Sequence, residues 1–404
     1  MLGGNEILDR EIVRLQHLIE NRKLSFLGRL SGSKAALIVI AIMVLVFQMR
    51  NLPETLANSS LDAAIAIERP VQARSVRLVT IDNDAYAAMF HSRSPLDSAA
   101  LGKLLNAVAA GHPRAIVVDI DTSDSSFRGM ETAQIPIVWN TAGEQLADGK
   151  FVLDLPLGGQ KLAPGSVAAL AVAPQDDRGI VRGYQHMYPL EAGGTVDSPG
   201  YAAARIVLGH APEKPASHSE ETHYLDYRYR FAPVKARDLV LDAESVTWEK
   251  MGLFTGQVVV VGGTYGAGRD QYSTPKGLMN GCEIVAQSAA AEIDGTFISS
   301  ASRLTTGLLM VLGGLATMAV YHWLNFRVAF LVSLVMVPVL SIASNFILFH
   351  RFAAWGAMVP LVIAVIVAEL YSEAALYLTF YQKVAELKSK EQAAQDATPA
   401  PRPK

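Results

Sequence analysis

Uncharged runs and alternating runs divide this chain. Ala35–Met49 (AALIVIAIMVLVFQM) carries no charge and stands between Lys34 and Arg50, and three further apolar runs come late, at Leu304–Leu324, Val328–Phe349 and Phe352–Leu370. A bilayer core of ~30 Å takes ~20 apolar residues in a helix, so the last three runs predict membrane spans. The first is shorter and reaches the length if Lys34 and Arg50 snorkel and the helix continues to Leu52. A signal peptide explains it less well, because a mixed-charge helical pattern precedes it.

Between the first and second runs the period shortens. Ser75–Ile81 (SVRLVTI) alternates and is rich in β-branched residues, which predicts a strand. Asp97–Ala110 has helical spacing, with Ser94-Pro95 before it and Gly111-His112-Pro113 after it. Ala115–Ile120 and Gln257–Val261 are nearly continuous apolar strands of the kind buried in parallel sheets. Ile135–Val138 and Phe151–Leu153 read as short strands, Ile180–Met187 and Tyr224–Arg230 as antiparallel or edge strands, and Cys282–Asp294 as an Ala-rich helix. The pattern predicts an α/β domain with a mixed sheet.

The Lys/Arg distribution orients the expected spans. Arg10, Arg14, Arg22, Lys23, Arg29 and Lys34 precede the first run, and Lys383, Lys388 and Lys390 follow the last; Arg351 is the one outward exception. The expected plan is a cytoplasmic amphipathic helix over 1–34 and a transmembrane helix over 35–52. An outer domain over 53–302 follows, then transmembrane helices over 303–325, 328–349 and 352–370. A short, partly disordered cytoplasmic tail over 371–404 ends the chain. Both termini then lie in the cytoplasm and the domain lies outside. Leu8, Ile12, Leu15 and Ile19 form one apolar stripe, which fits either a dimerising seam or a membrane-surface helix.

Composition narrows the classes. Half of the 404 residues are hydrophobic and 18% are charged, too apolar for a disordered chain. Mean hydropathy is +0.24. A formal charge of −3 gives no basic footprint for nucleic acid. Cys282 is the single cysteine, which excludes an intrachain disulfide framework or a cysteine-rich metal cluster.

Several ordered pieces carry a family resemblance. RLVTIDNDAY (Arg77–Tyr86) is similar to the opening strand and acidic end of the type 2 CHASE domains, the sensory extracellular domains associated with cyclases and histidine kinases. SPLDSAALGKLLNAVAAGHPRAIVVDI (Ser94–Ile120) resembles their first helix and second strand. QDDRGIVRGY (Gln175–Tyr184) resembles their D-x-D-G-x-x-R hairpin, and YLDYR (Tyr224–Arg228) a later strand. The stretch from Gly256 to Gln287 resembles the closing strand, T-P stretch and G-x-E-I helix. The resemblance covers roughly Asn51–Ser300. It departs at Asn280–Ala286, where Val285 stands in place of the family's histidine, and in the lack of a cyclase, kinase or phosphatase module. A stand-alone sensory form is therefore expected.

The candidate chemistry is acidic. Asp82 and Asp84 end the first strand, while Asp119, Asp121 and Asp124 end and follow the second. Ligands of open α/β sheets bind outside the carboxyl ends of the strands, so Asp82, Asp84, Asp119 and Asp121, with Thr274 of the T-P stretch, form the candidate ligand-binding set. The commoner use of such aspartates is to cap helices and turns. The glycine turn after Val261 matches neither a dinucleotide fingerprint nor a phosphate loop. His218, Glu220, Glu221 and His223 (HSEETH) have metal-ligand side chains without a separate third ligand group, so no metal and no cofactor is assigned. Cys282, near a helix start, is either a reactive thiol or a small buried apolar residue.

These readings predict a bacterial inner-membrane sensor, not an enzyme. Its periplasmic domain binds an unknown ligand and its helices, embedded in membrane lipids, relay the change to an unidentified cytoplasmic output protein. It is expected to be a homodimer that binds no nucleic acid. The alternatives are a non-signalling envelope scaffold and a metal-dependent envelope enzyme using the aspartates.

Overall fold

The computed structural model describes residues 54–130, 134–209, 222–240, 252–266, 270–324, 326–352, 354–355, 384–386 and 389. Two compact units result, one comprising Ser59–Ala301 with Leu348–Trp355, the other including Ser302–Ile347.

The first unit begins with helix α1 (Glu54–Ile67) and strand β1 (Val76–Ile81). Helices α2 (Asn83–Phe90) and α3 (Ser98–Ala109) follow, their first turns capped by Asp82 and Asp97. Each cap carboxylate accepts from the backbone N–H three residues on, an arrangement that contributes about 1 kcal/mol. Strands β2 (Ala115–Asp119), β3 (Ile137–Thr141) and β4 (Val167–Leu170) come next. Then come β5 (Gly183–Gln185), α4 (Pro199–Leu208), β6 (Thr222–Tyr224), β7 (Val234–Lys235) and α5 (Ala236–Val240). The unit closes with β8 (Val258–Gly263), the hairpin β9 (Gln271–Thr274) and β10 (Gly277–Asn280), and α6 (Gly281–Asp294).

Six strands form one sheet in the order β7-β1-β8-β2-β3-β4, parallel throughout. Alternation along each strand sends Val79, Ile81, Ile116, Val118, Val259 and Val261 toward α2, α3 and α5. The intervening Val76, Leu78, Val117, Val258 and Val260 pack on α4 and α6. Helices therefore cover both faces, which is why these strands read as continuous apolar runs. The α/β expectation holds. The antiparallel pairs, β5–β6, β9–β10, 143–145 with 151–153 and 187–189 with 195–197, lie outside this sheet. Tyr224–Arg230, read as one strand, breaks in two because Tyr227 adopts φ 51° and Asp226 accepts from the Arg228 N–H.

The expectation of four transmembrane helices is corrected: among the described residues no helix is long and apolar enough to cross a membrane. The two longest described helices are α7 (Arg303–Trp323) and α8 (Phe326–Phe352). The end of α8 and the start of the expected fourth span also belong to the α/β unit. Phe349 and Trp355 are buried with Leu61, Ile65 and Leu225, and Ala354–Trp355 pairs with Ser299–Ser300. The segment 1–53, with the N-terminal stripe and the first expected span, and all of 356–383 lie outside the described residues.

Candidate functional site

The carboxyl ends of β8 and β2 meet the first turn of α6, where Gly262 lies between Cys282 and Asp119. Asp119 ends β2 and is half-buried, and its Oδ1 accepts from Asn140 Nδ2 at 2.6 Å. Burial pushes its carboxyl up to about 6; the Asn140 amide opposes that shift and the charge of Asp270 adds to it. Asp270 lies just before β9. Its carboxylate oxygens stand 2.5 and 2.7 Å from where a Cβ on Gly281 would be, so only glycine lets the carboxylate approach α6 so closely. Burial raises Asp270 too, against the Tyr272 hydroxyl and the Gly281 N–H. Tyr265, whose hydroxyl is raised by burial and by Tyr86 and Asp270, stacks on Tyr86 with centroids 4.0 Å apart. Asp119, Asp270, Asn140, Tyr272 and Tyr265 thus gather outside the strand ends, the place where open α/β sheets form their ligand crevice.

The other candidates are used elsewhere. Asp82 caps α2 and pairs with Lys235 at 3.3 Å. The Ala85 N–H, and Lys235 after it, lower its carboxyl against the effect of burial. Strand β8 separates Asp82 from Asp119, about 10 Å at ordinary strand spacing. Asp84 is exposed in the first turn of α2, Asp121 accepts from the Ser123 N–H at 2.9 Å, and Asp124 caps a short turn at 125–127. Thr274 is buried in the β9–β10 turn, donating to Gly277 O and accepting from the Lys276 N–H. Among the described residues no group of three or more His, Cys, Asp or Glu is placed to hold a metal ion, so the four aspartates form no metal centre. Cys282 is buried against β8, where a Cβ on Gly262 would stand 2.2 Å from its own, and burial raises its thiol well above the usual range. His218, Glu220 and Glu221 lie outside the described residues.

A second constellation surrounds the end of α1. Arg182 is 5% exposed, and its guanidinium donates to both oxygens of Asp62 at 2.7 and 2.9 Å and to Asp176 at 2.6 Å. Asp176 sits in a turn. Burial works against its charge, but the Ile180 and Arg178 N–H groups and Arg182 hold it at about 2. Lys276, at the tip of the β9–β10 hairpin, donates to the carbonyls of Ala66 and Glu68 at 3.0 Å each. Arg228 reaches Glu68 at 3.5 Å and pairs with buried Asp226. The Asp-x-Arg-Gly-x-x-Arg and Tyr-Leu-Asp-Tyr-Arg stretches therefore grip one helix. Asp62 and Asn140 carried no local signal, since their partners Arg182 and Asp119 lie 120 and 21 residues away.

A parallel α/β domain, with carboxylates at its strand ends and a gripped first helix, defines a class, and comparison supplies the family. A family model for the CHASE2 domain matches residues 37–321. The chain belongs to the CHASE2 domain family, a family of sensory extracellular domains. No curated protein and no solved structure matches it.

Proposed function

We propose that the chain is a receptor, not an enzyme. A small ligand binds outside the cytoplasm at the Asp119–Asp270 crevice, and the change passes to α1 and on to a separate output protein. One observation carries this reading. The β9–β10 hairpin starts beside Asp270 and turns at Lys276, which holds the last carbonyls of α1. A ligand that neutralises Asp270 shifts the root of that hairpin, and any difference in affinity between two hairpin positions shifts the population of α1 arrangements. Two carboxylates raised by burial, neither paired with Lys or Arg among the described residues, favour a cationic or hydrogen-donating ligand. Homodimerisation belongs to the same proposal.

The test is a thermal-shift panel of small amines, guanidines, sugars and carboxylic acids on the wild type, Asp119→Asn and Asp270→Asn. Amines or guanidines are expected to raise the wild-type melting temperature and lose the effect in both variants. Shifts that persist unchanged in both variants would remove the crevice as the site.

A further inference from the structure

The titratable side chains that neither the crevice nor the α1 grip employs collect at one buried point beside α6. Tyr184 stands in the middle of β5, and Arg182 and His186 flank that strand on either side. Arg182 takes Asp62; the other two take Glu292. The Tyr184 hydroxyl donates to Glu292 Oε1, and His186 Nε2 lies 2.6 Å from that same oxygen. His223 of β6 lies flat on His186, with centroids 3.7 Å apart and planes at 12°. Tyr201 of α4 also stacks on His186, at 4.3 Å, and Phe297 presents its ring to both imidazoles edge-on. Gly183 permits the strands to come this close, because a Cβ there would stand 2.2 Å from the His223 carbonyl oxygen. Glu292 is 2% exposed, and its Oε2 and the His223 Nδ1 are both buried without a hydrogen-bond partner among the described residues. A native cluster with two such orphans holds polar capacity that the closed state leaves unused.

We propose that this cluster is a proton-binding site through which the sensory domain responds to acid, positive charge arriving on the buried His223 ring releasing the antiparallel β5–β6 pair. The proposal rests on the sensory reading above. Among the described residues, the groups facing the imidazoles are Glu292 from α6, Tyr184 from β5 and Tyr201 from α4. Tyr188 lies behind Tyr184, and Asp197, bound to Arg205 at 2.5 Å, lies beside Tyr201. One carboxylate at the stack therefore serves two imidazoles. Burial, with the neighbouring His186, holds His223 down at about 4 against 6.5 for the free side chain. The opened state takes up the proton first, so the closed β5–β6 pair is at full strength above about 6.5 and weakens as pH falls toward 4. Release reaches α1 directly, because the Leu225 N–H donates to Arg182 O at 2.8 Å and the Arg182 guanidinium holds Asp62.

The experiment is amide hydrogen exchange on the purified full chain between pH 7.5 and 4.5, corrected for intrinsic rates, in the wild type and His223→Phe. Phenylalanine retains a ring in the stack but cannot titrate. In the wild type, protection of residues 222–225 is expected to fall about 10-fold or more from pH 7 to pH 5, and in His223→Phe it is expected to stay flat. An equal fall in both proteins overturns the proposal. Should His223→Phe fail to fold, NMR titration of the wild-type His223 ring decides: a midpoint near 4 supports the site, and one near 6.5 overturns it. Acid release without any change in output-protein binding would uphold the proton site and remove the sensory reading. Ligand response through the crevice without acid release would do the reverse.

Discussion

Asp119 is the residue at which stability and binding pull apart. Its carboxyl is raised from 3.8 to about 6, so the folded state holds the proton more tightly than the unfolded chain does. Its contribution is fully present below about 4 and is lost as pH rises through 6, leaving a charge that costs up to about 3 kcal/mol at neutral pH. Asp119→Asn is therefore expected to raise the melting temperature at pH 7 and to lose that advantage at pH 4. A variant less stable than the wild type at pH 7 would contradict the burial argument. A destabilising side chain kept at a crevice is the usual mark of a binding group. Its place at a strand end was legible from the continuous apolar run Ala115–Val118 before it. Asp82 takes the capping role that was the commoner reading of such an aspartate, but sequence alone left it beside the ligand reading, because a strand-end aspartate looks the same whether it meets a ligand or its own helix.

Among the elements, the strand after Val181 carries most of the consequence. Arg182 is buried between Asp62 and Asp176, whose side chains are 23% and 17% exposed. Arg182→Met takes the buried cation from two carboxylates and leaves them the more exposed Arg178, at 3.5 Å from Asp62 and 3.4 Å from Asp176; it is expected to cost about 3 kcal/mol, read from the denaturant midpoint at pH 7. Because Asp176 is held at about 2, the loss should persist down to pH 4 and shrink only as pH falls toward 2. A midpoint unchanged by the substitution would mean that α1 is held by its apolar side alone. Periodicity exposed the long elements. The strand Ser75–Ile81 and the helices Asp97–Ala110 and Cys282–Asp294 sit within a residue or so of their observed bounds. Of the short strands, Phe151–Leu153 was legible and Ile180–Met187 contains the antiparallel β5, whereas their pairings, such as Tyr224 with Gly183, were not, since pairings of two or three residues leave no local pattern.

For the whole molecule, parallel order follows from placing β8, late in the chain, between β1 and β2. No local feature of QVVVV announces that insertion. The apolar runs misled in the opposite way. Length and hydrophobicity read as spans, whereas Phe349 and Trp355 complete the core beside α1, a contact invisible to a window of local hydropathy. The acidic crevice, the β9–β10 hairpin and α1 then form one connected path, with Asp270 at one end and Lys276 on the helix carbonyls at the other.

The measurement that bears on that path most directly is hydrogen exchange at Leu61–Ile65 in the full chain, with and without a saturating amine that shifts the wild type but not Asp270→Asn. The account predicts that the bound amine changes α1 protection in the wild type and leaves it unchanged in Lys276→Met, although the crevice still binds. An amine bound at the crevice with α1 exchange unaltered in the wild type would contradict it.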